Sequence, residues 1–399
     1  MLAPKHLPTI LVLTSTLPRW AGDTTPAFVM DLCRQLAGEF DVHVLAPHAS
    51  GACRYEIVDG VSIHRFRYLP QAWQSLAYDG GIPERLRRQP LALLQVPFFL
   101  TAQFFATLRL AWTLRPRMIH AHWILPQAAI AMLVSAISPD RPPVLCTVHG
   151  TDLYGLNAGV VRWLKALVLR RMAIVTIVSE AMRAAILAQG VSPVRVHLAP
   201  MGVDTKVVFR SSDAGSRENE TAVFVGRLVK GKGVDILLRA MARISSAGHR
   251  LRLVIVGDGP ERQALESLAL DLNLGGKIEF SGALPRKEVA AQFRSARVAV
   301  FPFTGAEGLG LVVVEAQACG CPVIASDIPA VRDTVVPNVT GLVTPPGDSE
   351  ALAGALVEVL SNGPRASQMA KAALASVLER FAWPRVSARY REMIISLMA

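Results

Sequence analysis

EGLGLVVVEAQACGCPVIAS, from Glu307 to Ser326, is the stretch that decides how this 399-residue chain is read. Two carboxylates, Glu307 and Glu315, stand eight positions apart, and Gly308-Leu309-Gly310-Leu311 follows directly on the first. An apolar strand, Val298 to Phe303, runs into the segment, and a second, Pro322 to Ala325, leaves it. Between them Val312 to Ala318 has helical composition and is closed by Gly320, so the order is strand, glycine-rich turn, helix, strand. Such a turn leaves backbone N–H groups unpaired at a helix N-terminus, where the macrodipole favours an anion. Glu307 precedes the turn and Glu315 lies about two helical turns into the helix, so the pair could hold hydroxyls at opposite ends of a ligand whose phosphate lies between them. The plainer alternative makes the glycines a tight turn and Glu315 a solvated helix residue. Against it, Glu315 is the only charge from Leu309 to Ser326, and a charge in so apolar a run is usually paired or functional.

Outward from this stretch the same alternation continues. Apolar runs at Thr9–Thr14, Asp41–Ala46, Met118–His120, Val144–Val148, Ile174–Val178, Thr221–Val225, Leu251–Val256 and Ile278–Ser281 are separated by helical stretches. Near-continuous apolar strands between helices imply parallel sheets covered on both faces, a doubly wound α/β arrangement whose ligands sit at the C-terminal strand ends. Arg227, Gly257, Glu307 and His149 all follow such ends. The polar, turn-rich SSDAGSRENE, Ser211 to Glu220, reads as a linker, with the boundary between it and Gly202-Val203-Asp204. Two Rossmann-like domains of similar size, with a cleft between them, are expected. The last segment, Phe381 to Ala399, has the pattern of a helix.

Further residues carry chemistry at strand ends. Gly226-Arg227-Leu228 and Lys230-Gly231-Lys232-Gly233 put a planar guanidinium and an ammonium just after a strand, both suited to a diphosphate. Gly257-Asp258-Gly259-Pro260-Glu261 is a well-formed helix start, with proline near the first helical position. Its Gly-x-Gly invites a dinucleotide reading, but the third glycine at that spacing is missing and the unit is not the first βαβ of the chain. Leu17 to Phe28 places Gly22 in a loop between the first strand and a helix, where it either lets a ligand approach backbone or merely belongs to a polar cap. His149 ends a strand within Thr147-Val148-His149-Gly150-Thr151-Asp152 and would face the cleft. His122-Trp123 fits an acceptor-side wall better than a metal site, because no carboxylate or cysteine cluster accompanies His120 and His122.

Composition narrows the function classes. The net charge of +11 is uneven: Met1 to Val203 holds 19 Lys/Arg against 11 Asp/Glu. The basic residues lack interleaved aromatics and collect at apolar helix ends, which disfavours nucleic acid as the partner. The five cysteines form no Cys-x-x-Cys pair and read as reduced thiols of a cytoplasmic protein. The apolar run Ile10–Leu13 is too short for a signal peptide and reads as the first strand. Leu91 to Leu114 is long and apolar enough to span a membrane, yet Gln95, Pro97, Gln103 and Arg109 interrupt it. It fits either a core helix or a helix lying in an anionic membrane interface; Arg85, Arg87, Arg88, Arg115 and Arg117 at its ends tilt the choice towards the interface.

From Phe224 to Asp348 the chain resembles the family 4 retaining glycosyltransferases, through Gly226-Arg227-Leu228…Lys232-Gly233, Gly257-Asp258-Gly259-Pro260, Phe280–Pro285, the Glu307–Glu315 motif and Gly341…Pro345-Pro346-Gly347-Asp348. The first domain is matched more loosely, and where relatives often carry two adjacent glycines it has Gly22 followed by Asp23. The resemblance implies the GT-B fold: an acceptor domain over 1–203, a nucleotide-sugar domain over 204–380, and a terminal helix, 381–399, packing back on the first. It also implies a retaining hexosyltransferase that works without a metal or cofactor and takes a nucleotide-diphosphate sugar as co-substrate. The acceptor would be a glycan or lipid-linked hydroxyl in polysaccharide or glycolipid synthesis, met in the cytoplasm or at the inner face of a membrane. By resemblance Arg227 and Lys232 hold the diphosphate, Glu307 orients the sugar and Glu315 the ribose. Gly22, Gly226, Gly257, Leu284, Gly308, Leu309, Gly310 and Leu311 line the donor, and His149 lies near its sugar. Two alternatives remain at this level: a nucleotide-sugar epimerase, which would turn over donor without acceptor, and a non-catalytic nucleotide-sugar binding protein.

Overall fold

The computed structural model describes residues 7–78, 81–82, 85–86, 89–155, 158–211 and 220–398. All but the ends of the expected linker, and both Arg87 and Arg88, lie outside them. The chain divides into two compact units, Met1–Gly202 with Val386–Ala399, and Val203–Arg385.

The first unit is built on an eight-stranded sheet. Its strands are β1 (Thr9–Leu13), β2 (Asp41–Pro47), β3 (Tyr55–Val58), β4 (Val61–Phe66), β5 (Met118–His122), β6 (Val144–Val148), β7 (Ile174–Ile177) and β8 (Val196–Leu198), in the order β3-β4-β2-β1-β5-β6-β7-β8. All neighbours are parallel except β3 and β4. That antiparallel hairpin turns at Asp59-Gly60, both left-handed, as a type I′ turn requires. β1, β5 and β6 are buried along nearly their whole length, which explains the apolar runs of β1 and β6 and encloses His120 and His122 of β5.

β1 connects to β2 on one side, while β5, its other neighbour, arrives after a crossover from β4. The strand order therefore reverses between β1 and β5, and a crevice opens at their C-terminal ends. The right-handed rule for parallel crossovers puts the three helices that precede β5, β6 and β7 on one face of this sheet. These are Val96–Leu114, Ala129–Ile137 and Gly159–Arg171. The helix Phe28–Leu36 runs between β1 and β2 and covers the other face. The last helix, Trp383–Met398, is divided by the unit boundary. Its residues from Val386 onward belong to the first unit, where Tyr390 is fully buried and donates to Ala199 O at 3.0 Å.

The second unit carries a six-stranded parallel sheet. Its strands are β9 (Thr221–Val225), β10 (Arg252–Val256), β11 (Ile278–Gly282), β12 (Val298–Phe301), β13 (Val323–Ser326) and β14 (Leu342–Thr344), in the order β11-β10-β9-β12-β13-β14. Phe224, Leu253, Ile255, Val298 and Val300 lie at the centre of its core. Here the order reverses between β9 and β12. The two units thus repeat one topological device on unrelated sequences.

Candidate functional site

Three loops leave the C-terminal ends of β10, β9 and β12 and pack glycine against backbone. Gly257 sits at φ +132°, where an added Cβ would lie 1.9 Å from Gly226 O. Gly233, at φ +67°, would place a Cβ 1.9 Å from Pro302 O. No other residue fits either position, so these glycines set how closely the loops approach. The backbone completes the join: Gly226 N–H donates to Val256 O at 3.0 Å, and Thr304 and Gly305 both donate to Gly231 O at 3.0 Å. Gly257 N–H reaches Gly282 O at 2.7 Å, which ties in the loop that carries the half-buried Leu284.

This packing brings together cations and carboxylates far apart in sequence. Lys232, beyond β9, donates to Glu307 Oε1, beyond β12, at 2.7 Å, directly across the strand-order reversal. Both side chains keep about a fifth of their surface in water, 21% and 17%. The Lys232 ammonium also lies 4.9 Å from the ring centroid of Phe303. Arg227 is half-buried one residue beyond Gly226 on the same edge. The helix Leu311–Ala318 begins directly after Gly308, Leu309 and Gly310, with Gly310 left-handed at its N-cap and no acid in its first turn. Its first N–H groups, like the Arg227 and Lys232 side chains, are donors of the kind that suits an anion. Glu315 is half-buried on this helix. Because the helix starts at Leu311, Glu315 lies little more than one turn from its start, where the sequence suggested two.

The first unit places its own residues at the reversal between β1 and β5. Gly22 is left-handed and exposed, and a Cβ added there would meet nothing within 4 Å. Its loop closes on itself: Arg19 donates through Nε and Nη2 to the two carboxylate oxygens of Asp23, each at 2.9 Å. Burial pushes the Asp23 pKa up, but the hydrogen bonds from Arg19 and Thr25 outweigh it and hold the group well below the carboxylate range. The loop does not cap the following helix by a side chain.

His149 is half-buried, its ring 4.8 Å from that of Trp123 and 5.1 Å from that of Phe28. Desolvation, reinforced by His120, lowers its pKa to about 3, so it is neutral at physiological pH. His122 does not form a wall with Trp123. It is fully buried as the last residue of a strand covered on both faces, 3.0 Å from His149 through Nδ1. Desolvation also holds its pKa well below 6.5. Beneath it His120 meets Thr147 Oγ1 at 2.8 Å, and burial lowers its pKa to about 3. Trp123 alone of the pair reaches the strand end, half-buried and in a left-handed backbone conformation at φ 76°.

Sequence reasoning assigned no role to Asp152. Its Oδ1 accepts from His149 N–H and its Oδ2 from Ile124 N–H, each at 3.0 Å. One carboxylate thus clamps the chain beyond β5 to the chain beyond β6 and holds the Trp123 and His149 backbones in place. Burial pushes its pKa up, and those two N–H donors oppose the shift. The signal was present in Thr147–Asp152, three residues after His149, but only the fold reveals the partner loop at Ile124. Among the described residues no group of three or more His, Cys, Asp or Glu side chains converges as metal ligands would.

Comparison with known proteins gives a consistent picture. The family model for glycosyl transferases group 1 matches residues 209–375, and that for the glycosyl transferase 4-like domain matches residues 25–227. The chain is 33% identical over 219 residues to a GDP-mannose-dependent alpha-(1-6)-phosphatidylinositol monomannoside mannosyltransferase of Mycolicibacterium smegmatis. That match takes in 51% of the chain and 57% of the relative, so the chain spans little more than half the relative's length there. With the protein of the same description from Mycobacterium tuberculosis the identity is 31% over 296 residues, covering 69% of the chain and 76% of the relative. Among solved structures, the sucrose-phosphate synthase of Thermosynechococcus elongatus superposes with a TM-score of 0.79 at 22% identity, covering 98% and 99% of the two chains.

Proposed function

The chain belongs to the glycosyl transferases group 1 family and is a glycosyltransferase of GT-B architecture, and from that premise we propose a metal-independent, retaining transfer of a hexose from a nucleoside-diphosphate sugar. The observation that carries this reading is the Lys232–Glu307 pair across the β9/β12 reversal, beside Arg227 and a helix N-terminus. A phosphate entering there meets two cations and the helix dipole, which together stabilise the charge that grows on a departing diphosphate. Glu307, freed from Lys232 as the anion takes its place, accepts hydrogen bonds from sugar hydroxyls, and Glu315 from the ribose. The donor line follows the Gly226, Gly257, Leu284 and Gly308–Leu311 backbone. In this reading no side chain acts as a nucleophile: the acceptor hydroxyl attacks from the face the diphosphate leaves, and its proton passes to the leaving phosphate. His149, neutral, contributes hydrogen bonds to a sugar hydroxyl rather than charge, and Trp123 offers a ring face for stacking against one.

The acceptor in this reading is a lipid-borne or glycan hydroxyl, met at the cytoplasmic face of an anionic membrane. The relatives' names, which include phosphatidylinositol, support that choice. The test is a thermal-shift panel of nucleoside-diphosphate sugars, followed by transfer to a bacterial lipid extract and assignment of the product anomer by NMR. One sugar should raise the melting temperature, and its anomeric configuration should persist in the product, with EDTA leaving the rate unchanged. Inverted product would remove the same-face mechanism, and a rate abolished by EDTA would remove the purely cationic account of the leaving group.

A further inference from the structure

The helix Val96–Leu114 turns large apolar side chains outward as well as inward. Its buried positions include Gln103 and Thr107, both fully inaccessible, and Gln103 has no side-chain partner among the described residues. Its exposed positions include Phe98, Phe105 and Trp112, at 56%, 60% and 56% exposure, beside Thr101, Arg109 and Thr113. Residues seven apart fall on one side of a helix, so these three rings form a single stripe. The turn before it continues the stripe with the exposed Leu91 and Leu94. A helix bathed in water shows the opposite pattern, polar outside and apolar within.

The neighbouring helices extend this surface. Ala129–Ile137 and Gly159–Arg171 lie on the same face of the first sheet, and they expose Leu133, Ile137, Val160 and Trp163. Apolar patches this extensive mark an interaction site. The charges around it are of one sign. None of the three helices contains an Asp or Glu, and no acid occurs anywhere from Arg85 to Pro139 or from Leu153 to Ser179. Arg109, Arg115, Arg162, Arg170 and Arg171 are all exposed.

We propose that this three-helix face seats flat in the headgroup region of an anionic bilayer, with the Phe98, Phe105, Trp112 and Trp163 rings among the acyl chains and the arginines on lipid phosphates. The proposal rests on the membrane part of the reading above and gives it a face and an orientation. The helix does not cross the bilayer, because Phe99, Gln103, Thr107, Leu110 and Ala111 hold it along the sheet. Aromatic rings that sit at an interface and cations that meet anionic lipid are the expected composition of such a surface. A second copy of the chain fits less well, since apposing two such faces would set arginines against arginines with no carboxylate to answer them.

The full chain should cosediment with phosphatidylcholine vesicles containing phosphatidylglycerol, bind pure phosphatidylcholine more weakly, and be released by salt. Replacing the exposed rings together, Phe98→Gln, Phe105→Gln and Trp112→Gln, should weaken partitioning at least about tenfold. Arg162→Gln with Arg170→Gln and Arg171→Gln should remove the preference for anionic lipid. Leu270→Gln, at an exposed apolar position in the second unit, serves as the control and should change nothing. Circular dichroism of each variant confirms the fold, and binding of UDP and GDP in the same samples reports the donor site separately. A wild type that binds neither nucleotide would sink the functional reading while leaving the vesicle result intact. Equal vesicle binding by wild type and ring variant overturns the proposal. So does a wild-type dimer that the ring substitutions dissociate, because the face would then belong to a second copy.

Discussion

Both sheets gather side chains at their C-terminal strand ends, and the set beyond β5 and β6 differs in chemistry from the set beyond β9 and β12. Between β9 and β12 the groups are charged and partly wet: Lys232 and Glu307 pair at 2.7 Å with water still touching both, and Arg227 stands alongside. Beyond β5 and β6 they are neutral and mostly dry: His120, His122 and His149 stack at ring distances of 4.3 Å and 5.2 Å, all with lowered pKa values. Desolvating a cation costs free energy unless it is paired, and Lys232 stays partly exposed with Glu307 as its partner. Groups that shape a surface without carrying charge can be buried, at the cost of being locked neutral. Strand ends of one topology thus carry a charged, partly exposed set in one unit and a neutral, mostly buried set in the other.

The contrast breaks first if the charges of the second unit prove dispensable. Arg227→Ala or Lys232→Ala should lower kcat by about 10²–10³-fold while leaving the fold intact, the usual loss when one stabiliser of developing charge is removed. Steady-state rates with saturating donor check this. Wild-type turnover in either variant would strip that residue of its assigned role.

Acid should separate the two units next. His120 and His149 titrate near 6.5 when unfolded and near 3 when folded, so between those values the unfolded chain binds more protons. Their contribution is complete above about pH 6.5 and is lost progressively as pH falls towards 3. Both groups therefore lower stability as pH falls through that window. Hydrogen exchange followed by mass spectrometry at pH 7 and pH 5 should show β5 and β6 losing protection before β9 and β12. Parallel loss in both sheets would locate the acid-sensitive groups elsewhere.

A smaller effect sharpens the donor side. Glu315→Ala should weaken binding of the nucleoside-diphosphate sugar by roughly 1.5–3 kcal/mol, the worth of a hydrogen bond to a charged group. Calorimetry measures it directly. Unchanged affinity would leave Glu315 as a structural residue of its helix.

One dimension was enough for the α/β class, the parallel sheets and the motifs at strand ends, because strands buried on both faces are mostly apolar and a tight strand-to-helix turn favours glycine. It was enough to put Arg227, Lys232, Glu307 and Glu315 on one sheet edge, since each follows a recognisable strand. The β3–β4 hairpin was absent from the expected strands, although Asp59-Gly60 is a turn signal in the sequence. Pairing and burial needed the third dimension. Lys232 and Glu307 are 75 positions apart, and only the adjacency of β9 and β12 makes them partners. His122 looks like a surface ligand in the string of letters and is buried in the fold, because the strand that ends with it lies in the middle of the sheet. Asp152 acquires a role only once Ile124 is brought within 3.0 Å. The apolar run Leu91–Leu114 suited both a core and an interface before it was folded, with the flanking arginines tilting the choice towards the interface. Which side of a helix meets the sheet is a property of packing, and packing turned Gln103 inward and Phe105 out.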